Sequence, residues 1–142
     1  MKWKSLGRNQ PPVLIRWAER LGLPKCPYVI RWRIETPLGS IRLHHWLAPD
    51  DDRAFHDHPW PFLTIVLAGG YIDRSPNGDD HLHIGSIRQR PASHQHTVIP
   101  DRGGAWTVIL TGPKIRDWGF WLNGKFRKAN KWFAKYGHHP CA

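Results

Sequence analysis

Methionine occurs once, cysteine twice and tyrosine three times in 142 residues, and each scarcity narrows the field. The two cysteines, Cys26 and Cys141, form no C-x-x-C pair. That excludes a thiolate zinc ribbon and a dithiol redox motif, and it reads as two free thiols, with a disulfide joining the ends as the alternative. No apolar run approaches the ~20 residues that cross a bilayer, and the start MKWKSLGRNQPP lacks the apolar core of a secretory signal. A cytoplasmic protein without membrane contact is expected. Neither G-x-S-x-G nor a phosphate-cradling Gly-rich loop occurs, so no serine hydrolase or P-loop enzyme is expected and no catalytic nucleophile stands out. Acids are also few, eleven against 21 Lys and Arg, for a net charge of +10. The excess lies at the ends, +7 over residues 1–33 and +6 over 114–142, while 34–113 carries −3. An all-round nucleic-acid binder is therefore not favoured, although basic ends attract phosphate-bearing partners as readily as they form solvated faces.

What the chain does have is histidine, ten residues, and tryptophan, nine. The length fits a single domain with one core, and the tryptophans suggest an aromatic-walled interior. The central stretch is Phe55 to Gly70, FHDHPWPFLTIVLAGG. In an extended chain His56 and His58 point one way and Asp57 the other, so Asp57 is read as a turn hydrogen bond or an ion pair. Phe62 to Ala68 is a β-branched and aromatic run, and Gly69-Gly70 then supplies the positive φ of a hairpin turn into Tyr71–Arg74. Pro59 and Pro61 stiffen the approach, with Trp60 between them as a wall of a pocket. His-x-His alone is a weak signal here, because His81/His83 and His94/His96 repeat it.

A second segment, GSIRQRPASHQH, spaces Gly85, Pro91 and His96 at intervals of six and five. The two segments together resemble the opening and closing motifs of the cupin superfamily, over roughly residues 40–122. The resemblance implies a mainly β fold, a double-stranded β-helix or jelly-roll barrel, whose two motifs lie on neighbouring strands and bind one divalent metal. Carried over, the ligands are His56, His58 and His96. The chain departs from the family at the usual glutamate ligand, where Phe62 and Leu63 stand, and at the glycine after the closing proline, where Ser93 stands. A three-histidine site results. The resemblance favours Fe2+, with Zn2+, Ni2+ or Mn2+ as alternatives, and a dioxygenase-like oxidoreductase acting on a small anionic molecule. A fainter likeness is to small cupin-type proteins of phages and prophages.

Around these motifs the chain reads as a barrel over about 28–122 with helices at both ends. Leu14, Trp17, Ala18 and Leu21 fall on one face of a helix over 11–22, and Ala129, Trp132, Phe133 and Tyr136 on one face of a helix over 124–136. Tyr28 to Glu35 alternates as a half-buried strand, and so does Ser40 to Leu47. If Arg42, His44 and Trp46 face inward, Arg42 and His44 contact substrate; the opposite face is equally open on sequence grounds. Ala48 to Arg53, APDDDR, reads as a solvated acidic loop. Arg88 and Arg90 share a face and either clamp an anion or meet an acidic loop. His81 and His83 read as a surface or hydrogen-bonded pair rather than a second metal site, and His94 as a fourth ligand or proton shuttle, although the register itself selects His96. Other functions stay in view: a non-catalytic cupin holding a sugar or nucleotide-like ligand, an interaction protein using basic helices, and a homodimer. The tail HHPCA would bind metal adventitiously in an assay.

Overall fold

The computed structural model describes residues 13–50 and 53–137. Its strands are β1 (Leu14–Leu23), β2 (Cys26–Thr36), β3 (Gly39–Trp46), β4 (Phe55–His56), β5 (Phe62–Ser75), β6 (Gly78–His83), β7 (Ile87–Arg90), β8 (Thr97–Thr111), β9 (Gly119–Leu122) and β10 (Lys125–Lys128). Helix α1 (Ala129–Tyr136) follows. All strand pairs are antiparallel. The larger sheet runs β1-β2-β3-β8-β5-β6 with β7 also on β5, and the smaller runs β10-β9-β4. This is the mainly β barrel that the motifs imply.

Two cores hold it. Val29, Trp46, Val66, Tyr71, Leu82, Val98 and Ala105 pack inside the larger sheet, while Ala54, Phe120 and Trp132 join the smaller sheet to α1. Trp132 stacks on Phe120 with ring centroids 4.7 Å apart. Arg53 donates to the carbonyls of Tyr136 and Gly137 at 2.9 and 2.7 Å, satisfying two of the acceptors that a helix end leaves without partners.

The alternation expected for the second strand holds, but its polar face is the one that turns inward. Val29, Arg31 and Arg33 face the interior, whereas Ile34 is 44% exposed and Trp32 stacks on Trp106 at 5.8 Å and meets Trp17 edge-on at 6.3 Å. Part of the tryptophan content thus clads the outside; Trp17 is 80% exposed. On β3 the inward set is Ser40, Arg42, His44 and Trp46.

Several expectations are corrected. Residues 14–23 form an edge strand rather than part of a helix over 11–22, whose first two positions lie outside the described residues. Pairing with β2 satisfies the backbone, and a bulge between Arg16 and Glu19, with Ala18 at φ +48°, sets Glu19 opposite Arg31. This ion-paired edge overrides the weak helical periodicity. At the other end the helix begins only at Ala129, and residues 125–128 pair with β9. Gly69-Gly70 does not close a hairpin. Strand β5 continues to Ser75, and its positive-φ Gly69 forms an irregularity in the β5–β8 ladder, where a Cβ would lie 2.2 Å from the Gly104 carbonyl. Residues 101–104 lie within β8. Cys26 is disulfide-bonded rather than a free thiol. Among the described residues no helix is long and apolar enough to cross a membrane.

Candidate metal centre

The three predicted histidines come together. His56 and His96 face each other across an antiparallel bridge between segments forty residues apart in sequence, with backbone N–H···O distances of 3.1 and 3.0 Å in the two directions. His58, two residues on, is anchored by its backbone N–H on the Ala92 carbonyl at 3.0 Å. One ring nitrogen from each of His56, His58 and His96 lies within 4.8 Å of the other two, and Nε2 of His58 and Nε2 of His96 are 3.1 Å apart. Two nitrogens each ~2.1 Å from one ion are separated by about 3.0 Å at a right angle and about 3.4 Å at a tetrahedral one. The spacing therefore fits two ligands of a single metal.

Two buried carboxylates stand behind these rings, one hydrogen-bonded and one at ion-pair distance, and sequence reasoning missed both. Asp73, 2% exposed, accepts from Nδ1 of His96 at 2.9 Å and from Nε2 of His94 at 2.9 Å. A carboxylate only accepts, so Nδ1 of His96 carries the proton and its Nε2 lone pair faces the other histidines. Asp50 lies beside His56, with Oδ2 3.6 Å from Nδ1, an ion-pair distance beyond hydrogen-bond range. It is buried rather than solvated, and it also accepts from the Val98 backbone N–H at 3.0 Å. Nothing short-range in the sequence marks Asp73, which is 15 residues from His58 and 23 from His96; it is near His96 because β5 pairs with β8, setting Asp73 opposite Val98. Replacing Asp73 by Asn is expected to weaken divalent-metal binding about 10–100-fold. Competition against a chromophoric chelator measures it, and affinity within twofold of the original would remove Asp73 from the site.

Asp57 points away from its neighbours, as alternation requires. Its oxygens take the Gly119 backbone N–H at 2.8 Å, the Trp121 indole N–H at 3.0 Å and the Arg116 guanidinium at 2.8 Å. It is the clamp that fastens the histidine segment to β9.

Burial depresses the basicity of the histidines. It pushes His58 well below its ordinary range, helped by repulsion from His96 and His56. It also lowers His96 against the opposing pull of Asp73. His44 is pushed down to about 3 by burial and then by Arg42 and Arg31. At neutral pH these three, His44, His58 and His96, are uncharged imidazoles, the form in which His58 and His96 can ligate a metal. In the unfolded chain they titrate near their ordinary value of 6.5, so below that pH the unfolded state takes up protons that the folded state refuses. Stability is thus present above pH 6.5 and lost as pH falls. At pH 5, His44 alone costs about 2 kcal/mol. Thermal melts of chelator-treated protein at pH 7.5 and pH 5 check this, and an unchanged Tm would contradict it.

The histidines open on a cavity of ≈ 330 Å³ whose lining includes Arg31, Arg33, Arg42, His44, Trp60, Phe62 and Trp118. Phe62 stands where the family's carboxylate ligand would be and packs on His58 with centroids 4.4 Å apart. Arg42, His44 and Trp60 all line this cavity. Arg88 and Arg90 do not line this cavity. Both pair with Asp80, at 2.8 and 2.6 Å, because β6 and β7 flank the same strand, β5. His94 turns onto Asp73 and, with Asp73 and His96, forms a second group whose ligand atoms lie within 4.8 Å of one another. His81 binds Asp101 at 2.9 Å beside His83 on the exposed surface.

No sequence-family model matches the chain, and no curated protein matches it by sequence. Solved structures do. It is similar to an RmlC-like cupin from Shewanella frigidimarina, at 11% identity and a TM-score of 0.53, over 67% of this chain and 85% of that one. A second likeness is to a protein from Klebsiella pneumoniae described as having a double-stranded β-helix domain, at 20% identity and a TM-score of 0.54, over 70% and 89% of the two chains. A third is to HppE in its Fe(II) form, at 15% identity and a TM-score of 0.55; the match covers 70% of this chain and 55% of that protein.

Proposed function

This chain has the fold of the cupin superfamily, and on that premise we propose that it binds one divalent metal through His56, His58 and His96 and acts on a small anionic molecule, with dioxygenase-like oxidoreduction as the reaction class. The observation that carries the reading is the convergence of three imidazole nitrogens within 4.8 Å, that of His96 oriented by the buried Asp73. Iron is favoured by the likeness to an Fe(II) protein, while an all-imidazole set also suits zinc, nickel and other ions.

Three neutral ligands leave the ion's double charge uncompensated and coordination positions open, so the metal supplies Lewis acidity and, if iron, redox chemistry toward O2. The chain's own residues supply the rest. Asp73 holds the His96 ring with its lone pair inward, and Asp50 sets a negative charge 3.6 Å behind His56. Phe62, Trp60 and Trp118 give the cavity apolar, aromatic walls. A chelating anion is the ligand such a site draws. The aromatic walls, Trp46, Trp60 and Trp118, favour a second reading, a cupin that retains a sugar or nucleotide-like ligand without turnover.

Elemental analysis of the untagged protein tests the primary reading. About one equivalent of iron, zinc, nickel or manganese per chain is expected, and less than about one-tenth of an equivalent after incubation with each ion in turn would overturn it. O2 consumption that depends on an added organic anion would separate the oxidoreductase from the retaining cupin.

A further inference from the structure

The cavity carries a second set of groups for which the metal reading has no use. Neighbouring strands β2 and β3 turn Arg31, Arg33 and Arg42 onto one wall of it. Outside the lining, two carboxylates serve these three guanidiniums. Glu19 accepts from Arg31 at 3.0 Å and from Arg33 at 2.6 Å, and Glu35 pairs with Arg33 at 2.6 Å and with Arg42. One positive charge is left over on that wall. Arg42 is the most buried of the three, and its guanidinium lies 4.7 Å from the ring centre of Trp60, which is itself stacked on His58 at 5.8 Å. The cationic wall and the histidine cluster are thus joined by a single indole.

His44 supplies an independent observation. It stands opposite Arg31 in the β2–β3 register, is buried, and lines the cavity with neither ring nitrogen partnered among the described residues. Native structures rarely leave a buried polar group unpaired without a functional reason. Phenylalanine would fill the same place at no such cost. A histidine kept there beside three arginines points to a ligand that brings the missing hydrogen-bond partner.

We propose that Arg31, Arg33, Arg42 and His44 form an oxyanion-binding wall, and that the cavity's ligand is a compact molecule bearing a carboxylate or phosphate for this wall and a second polar group for the metal. The inference deepens the reading of the cavity given above. Guanidinium forks match both oxyanions in geometry and charge, and ≈ 330 Å³ lies at the small end of the ~300–1,000 Å³ range of ligand cavities. Glu19 and Glu35 hold the arginines extended, so the wall is ordered before the ligand arrives.

The test is calorimetric titration of malonate, and separately of inorganic phosphate, into untagged protein, both metal-loaded and chelator-treated. The variants are Arg31→Gln, which leaves Glu19 still paired with Arg33, and His44→Phe. The original protein is expected to bind at least one of the two anions, and the better binder assigns the oxyanion. Each variant is expected to weaken that binding at least about tenfold, while His44→Phe keeps or raises the Tm of the ligand-free protein because it removes two unpaired buried nitrogens. Failure of both anions to bind the original protein at about 10 mM, or equal affinity in a folded Arg31→Gln and a folded His44→Phe, would overturn the proposal. A chelator-treated protein that still binds the anion in an Arg31-dependent way supports the wall even if no metal is ever found.

Discussion

Alanine at both His56 and His96 is expected to take bound metal from about one equivalent per chain to below about one-tenth. The double change removes two of three imidazoles and leaves His58 alone, and a single neutral nitrogen does not hold a divalent ion against water. The fold has reason to survive. The bridge between residues 56 and 96 is made by their backbone groups, and the side chains lost are polar rather than core-forming. The control is His81→Ala/His83→Ala, which deletes the same number of histidines from an exposed pair elsewhere and is expected to retain the metal. Elemental analysis beside near-ultraviolet circular dichroism reads both properties. Equal metal in the two double variants would place the ion somewhere other than this cluster.

The largest loss of stability is expected at Asp57, although it sits between two metal-site residues. Asp57→Ala strips the acceptor from the Gly119 backbone N–H and the Trp121 indole, and it removes the partner of Arg116. Asp57 is 1% exposed, so water does not readily replace the carboxylate. The loss is expected to reach about 3–5 kcal/mol, a large share of the ~5–15 kcal/mol that holds a domain together. Tm should fall by about 10–20 °C. Asp57→Asn keeps one acceptor but turns an amide donor toward other donors, so an intermediate loss is expected. Chemical denaturation of the two variants measures the difference, and a loss under about 1 kcal/mol for the alanine variant would mean that the clamp is dispensable.

The histidine motifs were legible because their information is local. Alternation along an extended chain puts His56 and His58 on one side whatever surrounds them, and the spacing of Gly85, Pro91 and His96 carries the resemblance that places the third ring nearby. The direction of Asp57 followed from the same alternation. Periodicity failed where two patterns compete over a short span. Leu14, Trp17, Ala18 and Leu21 fit a helical stripe, yet the segment lies as an edge strand because Glu19 there meets two arginines across the β1–β2 ladder.

Polarity misled in a more instructive way. On β2 the apolar set, Trp32 and Ile34, lies outside, and Arg31 and Arg33 face the cavity. The usual rule puts apolar residues inward, but here the inward guanidiniums of Arg31 and Arg33 are paired with Glu19 and Glu35, which offsets the cost of turning them toward the cavity.

What the amino-acid sequence determined by itself is the strand-rich architecture and the identity of three histidines able to share a metal, since both rest on spacing within short segments. The tertiary structure decided which groups stand behind and opposite those histidines: Asp73, Asp50, the arginine wall and the unpaired His44. These are set by strand pairing between residues tens of positions apart, and pairing depends on which faces can be buried together, a property of the assembled sheet that no single segment carries.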